Sequence, residues 1–349
     1  MEDPSTGSFD PDALRDAMAR RLYRRSVAGG HVTVPAVPAM IDEYVEICNH
    51  IFASVGARQT PAEAAQLRRM LESELARAYA ASQRSQIVIS YHAPFGIGIN
   101  YRVKAEWLAV ADDYDSWVGN REGSLFGTEA DARVLAVADE AHEPRNYRVL
   151  DLGAGTGRNA LALARRGHPV DAVEMTPKFA QIIRTEAERE SLDVQVIESD
   201  AFDTMDGVRS DYQLIVASEV LPEFRTVQEL RGVFELAADC LDPGGHLIIN
   251  AFLPRPGYVP DDAALELGQQ CNSMIFTEEQ MAGATANLPL ELVADDSVVD
   301  YEKAHLPQDT WPPTVWFASW ATGLDVFDVE PEESPIELRW LIYRRAATS

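Results

Sequence analysis

Asp151 and the three glycines that follow it carry the densest chemistry in the sequence. Tyr147-Arg148-Val149-Leu150-Asp151-Leu152 is an apolar run leading into Gly153-Ala154-Gly155-Thr156-Gly157 and then a helical stretch, Asn159 to Arg166. Glycines let the backbone turn tightly and pass close to a ligand, and the helix that follows presents partial positive charge there. A dinucleotide suits such a turn in general. The GxGxxG fingerprint, however, needs glycine at 158, where this chain has Arg158. Asp151 stands at the end of the strand, where its charge opposes a pyrophosphate but suits an ammonium, held directly or through water. A nicotinamide oxidoreductase therefore fits poorly.

An acid two positions before GxGxG resembles the first motif of the class I S-adenosylmethionine (SAM) dependent methyltransferases. The resemblance implies SAM as cofactor, with Asp151, Gly153, Ala154, Gly155, Gly157 and Asn159 as contacts along the loop. Pro169-Val170-Asp171-Ala172-Val173-Glu174 ends in the carboxylate that, in this family, accepts hydrogen bonds from both ribose hydroxyls, with Met175 beside it. Val196-Ile197-Glu198-Ser199-Asp200-Ala201 resembles the third motif, which implies Asp200 at the adenine amino group and the Ala201 N–H at the ring. Asp211 to Glu219 looks like the fourth strand, bringing Ser218 to the cofactor, and Leu241-Asp242-Pro243-Gly244-Gly245-His246 matches the turn opening the fifth. Tyr114-Asp115-Ser116-Trp117 is similar to the Tyr-Asp-x-Trp that precedes the first core helix in many members; Tyr114 then approaches the methionine end or packs in the core. Gly157-Arg158-Asn159-Ala160-Leu161 with Gly167-His168-Pro169-Val170-Asp171 is most similar to the tellurite-resistance-like branch. The Asn/Asp-Pro-Pro-Tyr motif of nucleobase amino-methyltransferases is replaced by Ser218-Glu219-Val220-Leu221-Pro222.

Methyl transfer from a sulfonium is an in-line displacement, so collinear placement of the reactants does much of the work. A base is needed when the nucleophile must lose a proton. Three residues are candidates for that task. Glu219 follows the fourth strand and either binds or deprotonates an acceptor, or is a solvated carboxylate at a helix start. His92 and His305 lie in segments expected near the pocket, although a lone histidine is more often a packing or surface residue. The 302–336 insertion holds His305, Trp311, Trp316, Phe317 and Trp320, an aromatic density above the chain's 8%. It reads as a lid lining an apolar or cationic substrate, or as a long loop anchored by its own rings.

The elements that must position these residues follow from periodicity. Strands expected near 147–152, 169–174, 194–199, 212–217, 246–252, 291–299 and 337–344 alternate with helical stretches. That is an α/β, Rossmann-like doubly wound sheet of seven strands, the resemblance implying that the seventh runs antiparallel. Residues 106–349 make this domain. Ahead of it, 1–34 reads as a flexible segment with a loosely held helix around Ala13 to Ser26 at most. Residues 35–105 read as a cap: an amphipathic helix over Met40 to Phe52, a second opened by the capping box Thr60-Pro61-Ala62-Glu63, and a β-hairpin over Gln86 to Val103.

Fifty-six acids against thirty bases leave a net charge of -26, which repels a polyphosphate backbone and argues against nucleic-acid partners. Cys48, Cys240 and Cys271 are far apart and suggest neither a disulfide framework nor a metal site. No run has the length of a membrane span, so the expectation is a cytoplasmic enzyme acting on a small molecule, with no metal and no membrane partner. A homodimer is left open. The rival readings are a protein side-chain methyltransferase and a SAM-binding scaffold subunit without turnover.

Overall fold

The computed structural model describes residues 9–23, 25, 27–82, 84–93, 98–107, 127–200 and 207–347. Tyr114 and Ala201 lie outside the described residues. The chain divides into two compact units, 1–108 and 109–349.

The first unit contains α1 (Pro11–Tyr23), β1 (Ala28–Pro35), α2 (Ile41–Ser54), α3 (Pro61–Ala81), β2 (Ser85–Ala93) and β3 (Asn100–Trp107). The Thr60 hydroxyl accepts from the Glu63 N–H, and the Glu63 carboxylate accepts from the Thr60 N–H at 2.7 Å, so the expected capping box starts α3. Tyr44, Cys48 and Phe52 on α2, and Leu67, Leu71 and Leu75 on α3, bury the apolar stripes. One expectation needs correction. Residues 28–35 are not part of a flexible segment but form β1, which pairs antiparallel with β2 in a three-stranded sheet ordered β1-β2-β3. His31-Val32-Thr33-Val34 has the β-branched character of a strand, and Gly30, opposite Tyr91, leaves room for its ring: a Cβ there would lie 2.8 Å from the Tyr91 hydroxyl. His92 is exposed on β2, in register with Gly29 on one side and Asn100 on the other.

The second unit holds a seven-stranded sheet built from β4 (Val149–Leu152), β5 (Val170–Val173), β6 (Val194–Ile197), β7 (Tyr212–Ala217), β8 (Leu241–Pro254), β9 (Leu290–Ser297) and β10 (Ile336–Arg345). Its order is β6-β5-β4-β7-β8-β10-β9; β4 to β8 pair in parallel, and β10 runs antiparallel to both neighbours. The central strands are apolar on both faces, as a sheet covered by helices on both sides requires. On one face Val149, Leu214, Val216, Ile248 and Trp340 pack with α4 (Ala132–Ala138), α5 (Arg158–Arg165) and α11 (Phe317–Ala321). On the other, Leu150, Ile215, Ile249 and Leu341 pack with α7 (Val227–Cys240) and α9 (Glu278–Thr285). The remaining helices are α6 (Pro177–Glu190), α8 (Asp262–Gln270) and α10 (Val298–His305). The sheet order reverses at β4, where strands on one side lead to β5 and β6 and on the other to β7. Open α/β sheets bind ligands in the crevice that such a reversal creates, beyond the carboxyl ends of the strands.

Candidate active site

Asp151, Glu174 and Asp200 stand at the carboxyl ends of three adjacent parallel strands. Leu152 pairs with Val173 and Val173 with Ile197, so Glu174 follows directly after β5 beside the loop that leaves β4, and Asp200 comes three residues beyond β6. Neighbouring strands lie about 4.8 Å apart, which puts the three acids along one edge roughly 10 Å long. The loop between β4 and α5 is bound to this edge. Ala154 N–H donates to the Val173 carbonyl at 2.9 Å, and Gly155 N–H donates to Glu174 Oε2 at 2.8 Å. Gly153 and Gly157 have φ of 65° and 88°, which side chains rarely adopt. A Cβ on Gly153 would lie 2.6 Å from Val220, and one on Gly157 would lie 2.9 Å from Ile183. Glycine is thus required both by conformation and by space.

The two buried acids differ in what they still offer. Glu174 also accepts from the Thr176 N–H at 2.6 Å; burial raises its carboxyl above the usual range, and the N–H groups of Thr176, Gly155 and Met175 work the other way. Asp151 is 2% exposed, and its Oδ2 has no hydrogen-bond partner among the described residues. Burial, then the charge of Asp131, pushes it up to about 7, while Arg158 and the Ala160 N–H oppose the shift. An orphaned, buried carboxylate oxygen beside a glycine loop fits the ammonium of a methionine moiety. Met175, 46% exposed, adds an apolar surface next to Glu174.

The structure joins Asn159, Ser218 and Glu219 through two residues that sequence reasoning missed in this role, Asp131 and Arg158. Arg158 Nη1 lies 2.8 Å from Asp131 Oδ1, and its Nη2 donates to Glu219 Oε1 at 2.7 Å. Asn159 Nδ2 and the Ser218 hydroxyl donate to Asp131 Oδ2 at 2.9 and 2.7 Å, and the Asp131 N–H donates back to Asn159 Oδ1 at 2.9 Å. Burial disfavours the Arg158 charge, but Asp131, Glu219 and Glu302 outweigh it and keep the guanidinium ionised. Glu219 has φ of 60° and its N–H donates to Asn250 Oδ1 at 2.7 Å. A non-glycine residue in that region costs about 1–3 kcal/mol and persists where its surroundings hold it. Burial pushes Glu219 up to about 7 against the pull of Arg158.

Asp131 occupies the N-cap position of α4 but does not cap it. Glu302 does so from 170 residues away, accepting from the Ala132 and Arg133 N–H groups at 2.7 and 3.1 Å and from Trp340 Nε1 at 3.0 Å. This substitution frees Asp131 for Arg158. The spacing of an acid before a helix was visible in the sequence, but nothing local announces that its carboxylate turns away.

His305 is not brought to this cluster. It is exposed at the last turn of α10, its Nδ1 2.7 Å from the Tyr301 carbonyl and its ring stacked on Tyr301. In the insertion, Phe317 and Trp320 are buried; Trp320 meets Phe252 edge to face and donates from Nε1 to the Asn272 carbonyl at 2.9 Å. Those rings anchor the segment to the sheet.

Residues 149–245 match the family described as a methyltransferase domain. Over 126 residues the chain is 29% identical to the ubiquinone biosynthesis O-methyltransferase of Methylocella silvestris, covering 35% of this chain and 47% of that protein. Over 149 residues it is 27% identical to the release factor glutamine methyltransferase of Haemophilus influenzae, covering 34% and 51%. The chain thus spans about half the length of these curated relatives. Among solved structures, geranyl diphosphate C-methyltransferase from Streptomyces coelicolor A3(2) is similar with a TM-score of 0.47 and 15% identity, over 68% of this chain and 98% of that one. The glycine loop and the acids at the ends of β4, β5 and β6 fall within residues 149–245, the stretch that is similar to the methyltransferase domain family.

Proposed function

We propose that the chain transfers a methyl group from SAM to a nitrogen, oxygen or carbon nucleophile of a small molecule by in-line displacement. The observation that carries this reading is the orphaned Oδ2 of Asp151 beside the Gly153–Gly157 loop, with Glu174 on the adjoining strand end. When bound, SAM supplies an activated methyl on a sulfonium, which departs as a neutral thioether. Asp151 holds the ammonium of the methionine part, Glu174 accepts from the ribose hydroxyls, and Asp200 meets the adenine.

Glu219 is the residue for the acceptor side. It leaves β7 at the same rim, where burial raises its carboxyl against the pull of Arg158, and it both binds a donor group and takes its proton. The strong negative charge disfavours nucleic acid as acceptor. The reading places the enzyme in the cytoplasm; among the described residues no helix is long and apolar enough to cross a membrane. The similarity to the tellurite-resistance-like branch does not indicate an acceptor. A protein acceptor is the second reading, since one matched relative is named for methylating a release-factor glutamine.

Isothermal titration tests the cofactor reading. S-adenosylhomocysteine (SAH) is expected to bind the wild type, and Asp151→Ala combined with Glu174→Ala to weaken binding by at least about 100-fold, some 3 kcal/mol. Undiminished binding by the double variant would remove the basis of the proposal. Methyl transfer from labelled SAM into a metabolite extract, against a protein extract, then separates the two acceptor classes.

A further inference from the structure

The charges around Asp151 do not balance. It faces Asp131 ahead of α4, Arg158 at the head of α5 and Glu174 after β5. Glu219, after β7, shares Arg158 with Asp131 and has Glu223 nearby, while Glu302 on α10 faces Asp131. At the centre, one guanidinium therefore stands against the carboxyls of Asp131, Asp151 and Glu219, all largely withdrawn from water. Two uncompensated buried charges are costly, and protons are the usual remedy. Arg158 is also an unfavourable residue for the first position of a helix, where the backbone already presents positive charge. Its location is explained by the acids it faces.

We propose that Arg158 is a positioning residue for cofactor capture: it sets the charge of the Asp131–Asp151–Glu219 cluster so that the cluster holds one proton, which the cofactor's ammonium displaces at Asp151. The inference rests on the reading of this crevice as a SAM pocket. The exchange balances, since one O–H bond breaks, its proton leaves for bulk solvent, and one positive charge replaces another. The proton is not assigned to a single acid, because interacting sites share their macroscopic titration. The unpartnered Oδ2 of Asp151 is the point at which it is displaced.

The test titrates SAH, which carries the same ammonium, into the full chain near pH 6 and near pH 7, each in two buffers of different ionisation enthalpy. Close to one proton is expected to leave per SAH bound near pH 6. Kd should fall roughly fivefold from pH 6 to pH 7, the change for one proton with a midpoint about 7. The ligand's own amino group, with a pKa of about 8, stays charged over this range. Arg158→Met takes away the one guanidinium, so the acids hold their proton to higher pH: close to one proton is expected to leave per SAH near pH 7 as well, and Kd to fall nearly tenfold between the two pH values, with Arg158→Lys restoring the original profile. Glu219→Gln removes one acid, leaves the Arg158–Asp131 pair intact and moves the levelling-off to lower pH. Wild-type binding with equal apparent enthalpy in paired buffers and the same Kd at both pH values would overturn this inference and leave the cofactor reading standing. No SAH binding at either pH would overturn the cofactor reading and this inference with it.

Discussion

Gly153 shows how a single missing Cβ controls the site. Its φ of 65° and the 2.6 Å approach to Val220 mean that alanine there must distort the loop or displace the turn that carries Glu219. Gly153→Ala is expected to destabilise the protein by about 1–3 kcal/mol in urea unfolding and to weaken SAH binding by at least tenfold or so in calorimetry. Asp151 makes a second prediction at this scale. Its carboxyl, pushed up to about 7 by burial and Asp131, binds its proton more tightly in the folded chain than in the unfolded one. The stability it contributes is therefore present in acid and lost as pH rises from about 4 to about 7. Urea unfolding of the ligand-free wild type should show that decline, and Asp151→Asn should flatten it; equal slopes for the two proteins would count against a protonated Asp151.

At the scale of elements, Glu302 joins three parts of the second unit. It caps α4, bonds Trp340 on β10 and opens the insertion, of which Phe317 and Trp320 form a buried anchor farther on. Glu302→Ala leaves two helix N–H groups and an indole N–H without their acceptor. A loss of about 3 kcal/mol is expected in denaturant titrations, with Asp131 the nearest carboxylate able to swing back to the cap. If it does so, Arg158 loses a partner and SAH binding weakens as well. A Glu302→Ala protein of unchanged stability would show that the N-cap contacts of α4 contribute little.

For the molecule as a whole, each unit has its own buried residues and its own sheet. The crevice residues Asp151, Glu174, Asp200 and Glu219 all belong to the second. A chain starting at Ala109 is therefore expected to fold with a cooperative thermal transition and to bind SAH within about threefold of the full-length Kd, a difference below 1 kcal/mol. Loss of binding by a folded fragment would assign part of the pocket to residues 1–108, where His92 lies.

The sheet and the cofactor loop were legible in the sequence because their signals are local. Apolar strand runs, a capping box and a glycine turn depend on neighbours a few residues apart, and the seven expected strands match β4 to β10. The strand β1 was missed because Gly29-Gly30 reads as flexible until the Tyr91 ring packs beside it. Arg158 was legible as a residue that excludes a dinucleotide, but its pairing with Asp131, 27 residues earlier, and Glu219, 61 residues later, was not. Charge compensation in a buried cluster depends on which side chains meet, and that is decided when helices pack on the sheet. The acid-and-glycine turn and the family it resembles determined where a ligand would bind; tertiary packing alone decided which acids share one guanidinium, and hence how the site is charged.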